Sequence, residues 1–256
     1  MKQKFFITLI GLVFLGLTFL YSRDVLAEII WRNFGVASAA LLVGQNDAEL
    51  AAEIGKYYFN GGAYDLGKAE KAFKKAAQID PEMLGPRFQL SRIEFIKGNF
   101  ATALTLAEEE LKIHPEFDRV YYLRGLINGY AGNLPEAAAD FQEFLKAHEK
   151  SWAANNDLAW IYFRQGEFEQ AAEAAERGLK WNPGNTWLLA TYGTALLNLG
   201  DKNKAKQALT QALAVAEKLT LEEWGKAYPG NNPEVYEVGL ETMLTTIRAN
   251  LELVRE

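Results

Sequence analysis

A 34-residue periodicity is the feature of this sequence that most limits its fold. Four kinds of residue recur at this spacing along the middle of the chain. The first column is glycine, at Gly98, Gly132, Gly166 and Gly200; the second is alanine, at Ala69, Ala103, Ala137, Ala171 and Ala205; the third is Ala77, Leu111, Leu145, Leu179 and Leu213; the fourth is proline, at Pro81, Pro115 and Pro183. Four columns in one register indicate an internal repeat, and periods of roughly 20 to 50 residues are typical of solenoids and arrays.

Each repeat is predicted to contain two helices with a sharp turn between them. In the fourth repeat, the helices are predicted over residues 155–164 and 168–180, with Gly166 in the turn. Glycine accepts the left-handed backbone that ends many helices, and Pro183 cannot continue a helix. Neither helix can bury its apolar face alone, so we expect neighbouring repeats to stack. The sequence therefore predicts an all-α solenoid.

The repeat resembles the tetratricopeptide repeat (TPR) family, whose unit is a 34-residue helix–turn–helix. The residues that carry the resemblance are small ones in the first helix, a first-helix aromatic, second-helix aromatics and a large apolar residue after each turn. They are Ser91, Gly125, Ala159 and Gly193; Tyr162; Phe73 and Phe141; and Leu66, Phe100, Leu134 and Phe168. The resemblance covers residues 48–217 and implies about five repeats.

The first repeat departs from this pattern. If Gly55 and Tyr58 are its small and aromatic first-helix residues, the turn over residues 60–64 is two residues too long. Terminal repeats are often atypical because they cap a stack.

The N-terminal segment of the sequence predicts where the protein is located in the cell. Lys2 and Lys4 precede an uncharged apolar run over residues 5–22. As a helix this run spans about 27 Å, close to the thickness of a bilayer core. We predict a signal-anchor transmembrane helix over residues 1–22, with the N-terminus cytoplasmic and the repeats extracytoplasmic. The alternative is cleavage after Ala27, which leaves a periplasmic or secreted TPR module.

Helices are also predicted on both sides of the repeats. Residues 23–47 are predicted to form an amphipathic linker helix, with Trp31 either near lipid headgroups or packed on the first repeat. Residues 218–256 are predicted to form capping helices, the first begun by a capping box at Thr220 and the last capped by Asn232. The apolar face of the last helix is Val235, Val238, Leu240, Met243, Leu244, Ile247, Leu251 and Val254.

The composition argues against catalysis, metal binding and nucleic-acid binding by this chain. Its 27 Lys and Arg against 33 Asp and Glu give a net charge of −6, which does not favour nucleic-acid binding. There is no cysteine, and the two histidines, His114 and His148, lie one repeat apart at the predicted ends of second helices. We therefore expect no enzyme activity, no cofactor, no metal and no small-molecule substrate.

What remains is the binding of a protein or peptide. In TPR proteins the first helices line a concave groove that holds the partner, and the resemblance assigns eleven residues to it. They are Phe88, Arg92, Phe95, Tyr122, Leu126, Tyr130, Asn156, Trp160, Phe163, Arg164 and Trp187. Several of these aromatics could instead pack against neighbouring helices. The function expected is a membrane-anchored scaffold or assembly factor; the alternative is a non-catalytic recruiting subunit of an enzyme complex.

Overall fold

Helices make up the regular secondary structure of the residues that the structure describes. The computed structural model describes residues 23–44, 46–61, 64–226 and 236–254. The helices are α1 (Arg23–Phe34), α2 (Ala37–Val43), α3 (Ala48–Lys56), α4 (Leu66–Ile79), α5 (Pro86–Ile96), α6 (Phe100–Ile113), α7 (Arg119–Ala131), α8 (Leu134–Ala147), α9 (Trp152–Gln165), α10 (Phe168–Trp181), α11 (Thr186–Asn198), α12 (Lys202–Ala216), α13 (Leu221–Lys226) and α14 (Tyr236–Leu253). They fall into two compact units, residues 1–93 and 94–256. The predicted all-α fold is confirmed.

The linker predicted as one helix over residues 23–47 is two helices, and that prediction was wrong. Gly35 has a positive φ of 65° and separates α1 from α2, because this backbone conformation ends a helix. Trp31 is buried and donates its indole Nε1–H to Glu53 in α3 at 3.1 Å. Its ring also meets Tyr57 edge-on, with centroids 5.1 Å apart. Trp31 therefore packs on the first repeat, the second of its two predicted placements.

The extra residues of the first repeat are accommodated by a π-helical turn. After α3, the chain forms this wider turn over Tyr57–Gly61 before α4 begins at Leu66. A Cβ atom added to Gly55 would lie 2.7 Å from the Phe73 ring, so glycine is needed for the approach of α3 and α4. Gly55 is therefore the small first-helix residue, as the sequence predicts, while residues 62 and 63 of the predicted long turn lie outside the described residues.

Three helical hairpins follow one another in the second unit: α7 with α8, α9 with α10, and α11 with α12. Gly166 closes α9 with a φ of 80°, and the Glu167 N–H bonds the Tyr162 carbonyl at 2.9 Å. This pair of features is the Schellman ending of a helix. Gly132 and Gly200 have the same positive φ at the equivalent turns. The glycine column therefore marks equivalent turns, as the periodicity predicts.

Small and large residues alternate where the two helices of a hairpin cross. Phe141 in α8 is fully buried, and a Cβ added to Gly125 in α7 would lie 2.8 Å from its ring. Leu209 and Gly193 repeat this relationship between α11 and α12, at 2.7 Å. Burying a side chain such as Phe141 stabilises the fold by about 1.5–3 kcal/mol, and the glycine permits that burial.

The C-terminal helices follow the last repeat. Thr220 and Glu223 form a reciprocal capping box at α13: the Glu223 N–H bonds Thr220 Oγ1, and the Thr220 N–H bonds Glu223 Oε2. α14 packs on α11 and α12, with Ile247 and Val254 buried there. Val238 is exposed, so its assignment to the apolar face was wrong. The predicted cap at residue 232 and the start of this apolar face at residue 235 lie outside the described residues.

The predicted anchor, residues 1–22, also lies outside the described residues. Within 23–44, 46–61, 64–226 and 236–254, no helix combines the length and the apolar character needed to cross a bilayer.

Candidate partner-binding face

Three aromatic rings from successive first helices form a row in the second unit. Phe95 near the end of α5 meets Tyr130 of α7 edge-on, with ring centroids 5.3 Å apart. Tyr130 in turn meets Trp160 of α9 at 5.6 Å with a 40° tilt. These are favourable geometries for aromatic pairs. We call Phe95, Tyr130 and Trp160 the aromatic row; Tyr130 is 60% exposed, so the row is open to a partner.

Arg164 extends the aromatic row. Its guanidinium carbon lies 4.9 Å from the centroid of the Trp160 ring, within the range of a cation–π interaction. Its Nη1 donates to the Gly129 carbonyl in the previous repeat at 2.6 Å. A guanidinium has five N–H donors, and this bond uses one of them. Arg164 is therefore an exposed cation held in place by two contacts.

Tyr122 and Asp157 join α7 to α9 through a hydrogen bond. The Tyr122 hydroxyl donates to Asp157 Oδ2 at 2.6 Å. Burial raises the pKa of Asp157 to about 6, while hydrogen bonds from Tyr122 and Asn156 act in the opposite direction. A desolvated carboxylate in apolar surroundings loses hydration, and the donors only partly replace it.

Two of the predicted face residues have packing roles. Leu126 packs against the buried cluster that contains Phe141 and Leu158. The Phe163 ring lies 5.3 Å from Phe168, across the turn of its own hairpin. Both side chains therefore help to hold the hairpins together.

Asn156 and Trp187 contact the neighbouring repeats. Asn156 is buried, and its Oδ1 accepts a hydrogen bond from the Thr191 hydroxyl of α11 at 2.9 Å. The Trp187 ring of α11 lies 5.4 Å from that of Trp152 at the start of α9. These contacts couple α9 to α11.

Five of the contacts between first helices share one spacing, and the Tyr130–Trp160 pair, 30 residues apart, does not. Each of the five joins a residue to the residue 35 positions later, one more than the repeat period. The pairs are Phe95–Tyr130, Tyr122–Asp157, Gly129–Arg164, Trp152–Trp187 and Asn156–Thr191. Asp157, Thr191 and Trp152 were not among the predicted face residues, and this spacing is the signal that would have identified them.

Phe88 and Arg92 belong to the first unit, and the other nine predicted residues belong to the second. The Arg92 guanidinium carbon lies 4.5 Å from the Phe59 ring centroid, and its Nη1 donates to Gln89 at 2.9 Å. Both Phe88 and Arg92 are partly buried.

The two histidines follow second helices directly, at the predicted position. His148 Nε2 lies 2.8 Å from Asp118 Oδ2, and its ring stacks on Phe144. His114 Nδ1 lies 3.5 Å from Glu116. In the portion of the chain that the structure describes, no three His, Cys, Asp or Glu side chains are grouped so that they could hold a metal ion.

The repeat family follows from this geometry together with sequence comparison. The tetratricopeptide repeat model TPR_16 matches residues 122–186, and the model TPR_19 matches residues 163–227. These ranges contain hairpins whose glycine turns and small–large crossings are described above. Residues 122–227 match tetratricopeptide repeats.

Known proteins share these repeats. Superkiller protein 3 of Schizosaccharomyces pombe is 25% identical over 193 residues, which is 73% of this chain and 14% of that protein. The crystal structure of YrrB, described as a TPR protein with an unusual peptide-binding site, has a TM-score of 0.58 at 15% identity and covers 72% of this chain and 93% of YrrB. The crystal structure of PilW, described as a type IV pilus biogenesis factor, has a TM-score of 0.61 at 16% identity and covers 80% of this chain and 90% of PilW. These similarities to solved structures show the solenoid fold.

Proposed function

We propose that this chain is a membrane-anchored scaffold or assembly factor that binds an extended peptide of a partner protein on the first helices of its second unit. The observation that carries the proposal is the exposed aromatic row with Arg164 at its end. Aromatic side chains and arginine dominate the energetics of many protein interfaces, because they offer large rigid surfaces and several donors. TPR proteins bind protein or peptide partners, and the description of YrrB refers to a peptide-binding site.

The distribution of charge supports a partner that carries carboxylates. The first helices α7, α9 and α11 contain three arginines and one aspartate. The second helices of the same hairpins, α8, α10 and α12, contain six acidic and six basic residues, so the first helices carry the net positive charge. Arg164 presents its remaining donors beside the aromatic row, and a guanidinium binds a carboxylate with charge-assisted hydrogen bonds. We therefore expect a peptide that combines apolar or aromatic side chains with an acidic group.

Membrane anchoring by residues 5–22 is the second part of the proposal, with the repeats on the extracytoplasmic side. The structure of α1 favours anchoring over the alternative of cleavage after Ala27. Such cleavage would remove the first five residues of α1, including the buried Ala27. A Cβ added to Gly44 would lie 2.8 Å from the Ala27 methyl group, so this alanine is part of the α1–α2 contact.

The binding proposal can be tested by photocrosslinking followed by affinity measurement. A photoreactive amino acid at Tyr130 in the full chain should crosslink a partner peptide, which mass spectrometry would identify and synthesis would supply. The double variant Trp160→Ala/Arg164→Glu should weaken binding of that peptide by ~10-fold or more, the effect expected for hot-spot residues.

A matched control comes from a second cation–π pair in the chain. Lys150, in the loop before α9, has its Nζ 4.6 Å from the ring centroid of Trp181, the last residue of α10, and neither residue belongs to the aromatic row. The double variant Trp181→Ala/Lys150→Glu should leave affinity unchanged. Equal losses in the two double variants, with native helicity in both, would contradict the proposed face.

The anchoring proposal has its own test. The full chain should float with liposomes and resist extraction by alkaline carbonate, and N-terminal sequencing should find Met1 or Lys2. A mature N-terminus at Glu28 would overturn it.

A further inference from the structure

The helices α1 and α2 expose large apolar side chains. We call residues 23–44, which contain both helices, the N-terminal hairpin. Phe34 is 72% exposed and Leu42 is 73% exposed, and Leu26 and Val36 are exposed as well. Single exposed apolar residues are common on proteins, but several on one small element mark an interaction surface.

Apart from Trp31, which packs on the first repeat, the residues described as buried in the N-terminal hairpin are small. Ala27, Ala37 and Ala40 are buried, and Gly44 approaches Ala27 so closely that an added Cβ would lie 2.8 Å from its methyl group. A helical hairpin in water normally buries its large apolar side chains and exposes polar ones. Helix pairs in lipid do the reverse, since small residues form the contact and large apolar residues face the acyl chains.

We propose that the outer surface of the N-terminal hairpin, through Leu26, Phe34, Val36 and Leu42, lies against the lipid bilayer as a second membrane contact. This inference rests on the proposed anchoring of residues 5–22. α1 begins at Arg23, directly after the apolar segment, and its 12 residues extend about 18 Å. α2 returns towards the start of α1, since Gly44 meets Ala27. The whole hairpin therefore stays close to the point where the anchor would leave the bilayer.

Charge supports lipid as the occupant of this surface. α2 contains no charged residue over Ala37–Val43. Arg32 of α1 is directed to protein partners, Glu28 and Glu53, each at 3.1 Å. Arg23 and Asp24, the other charged residues of α1, lie in its first turn beside the end of the proposed anchor. The uncharged apolar side chains of α2 are suited to the acyl boundary of a bilayer, where buried apolar area supplies the binding energy.

The absence of cysteine from the sequence allows a direct test. Single cysteines introduced by Phe34→Cys, Leu42→Cys and, as a control, Lys206→Cys on the exposed surface of α12 can each carry the fluorophore NBD. The full chain is reconstituted into vesicles of phosphatidylcholine and phosphatidylglycerol. At positions 34 and 42, emission should shift to shorter wavelength and be quenched when brominated lipid is included; at position 206, neither change is expected.

The outcomes separate the two proposals. If the protein floats with vesicles but the NBD labels at positions 34 and 42 keep the emission wavelength of a water-exposed label, the second contact is overturned and the anchor is left intact. A protein that fails to float would overturn both. A blue shift that depends on protein concentration at constant lipid, without quenching by brominated lipid, would mean that a second copy covers the surface, and would overturn the lipid contact.

Discussion

The Tyr122 hydroxyl donates a 2.6 Å hydrogen bond to Oδ2 of Asp157, and so ties two successive first helices together beside the aromatic row. The acceptor is a carboxylate whose pKa is raised to about 6 by burial. One side chain therefore takes part both in the packing between repeats and in a titration close to neutral pH. We therefore expect the contact between α7 and α9 to depend on pH.

The stability of the protein should fall as Asp157 ionises. Its pKa in the folded state, about 6, lies above the ordinary value of 3.8, so the folded chain holds this proton more tightly than the unfolded chain. That stabilisation is present below pH 3.8 and is lost as the pH rises through 6. Between about pH 4.5 and 7.5, we expect the wild type to lose about 2 kcal/mol relative to Asp157→Asn.

Urea denaturation of both proteins at the two pH values measures this difference. Asparagine keeps an oxygen that can accept from Tyr122 but cannot ionise, so other titrating groups cancel in the comparison. Free energies of unfolding that change in parallel would show that Asp157 titrates in the same way in the folded and unfolded chains.

Removing the Tyr122 hydroxyl should lower the free energy of unfolding more at pH 7.5 than at pH 4.5. Tyr122→Phe deletes the hydroxyl that bonds Asp157, and a hydrogen bond to a charged group contributes about 1.5–3 kcal/mol. We expect a loss of about 2 kcal/mol at pH 7.5 and a smaller loss at pH 4.5, where the acceptor is neutral. Chemical denaturation of Tyr122→Phe at both pH values checks this, and equal losses would argue against a charged acceptor.

The repeat periodicity predicted the turns because each turn depends on local backbone chemistry. Gly166 adopts a positive φ that its own position requires, whichever helix lies nearby. The contacts between repeats were not predicted in the same way. The pairing of Tyr122 with Asp157 depends on how α7 and α9 cross, and no single repeat encodes that angle. Gly35 was also missed as a helix end, because the apolar residues around it keep a helical spacing on both sides.

Adding one methyl group at a helix crossing should be costly. In Gly125→Ala the new Cβ would lie 2.8 Å from the fully buried Phe141 ring, so the ring or the helix would have to shift. Overpacking of this kind costs about 1–3 kcal/mol. Thermal or urea unfolding measures the loss.

The control for this substitution is Gly184→Ala in the loop before α11. A Cβ at that position would have no heavy atom within 4 Å, and the backbone is not left-handed. Its stability should therefore stay within about 0.5 kcal/mol of the wild type. A similar loss in both variants would mean that helix crossing is not the cause.

Arg124 of α7 and Asp140 of α8 form a buried ion pair, and a double-mutant cycle should give this pair a large coupling energy. Arg124 bonds Asp140, whose side chain is only 6% exposed, and Asn128 donates to the same carboxylate at 3.1 Å. Arg124→Met leaves that carboxylate without its cation, and we expect a loss of about 3 kcal/mol. The double variant Arg124→Met/Asp140→Asn should be less destabilised than the sum of the single changes by at least about 1 kcal/mol.

An exposed pair supplies the comparison for this cycle. In α8, Lys146 Nζ lies 2.5 Å from Glu143 Oε2, and the two side chains are 72% and 43% exposed, respectively. The cycle Lys146→Met/Glu143→Gln should give a coupling energy below about 0.5 kcal/mol, because water screens such pairs. Equal coupling in the two cycles would show that burial does not strengthen the Arg124 pair.

The 35-residue spacing of the contacts between first helices makes whole repeats exchangeable. If residues 152–185 were lost, Thr191 would arrive opposite Tyr122, and Asn198 would arrive opposite the Gly129 carbonyl. The Thr191 hydroxyl would take the place of the Asp157 carboxylate as acceptor, and the Asn198 amide would take the place of the Arg164 guanidinium as donor. Gene segments of this length can therefore be duplicated or deleted with a donor and an acceptor still facing each other between neighbours, whereas one extra residue inside a first helix displaces the pairs whose two members lie on either side of it.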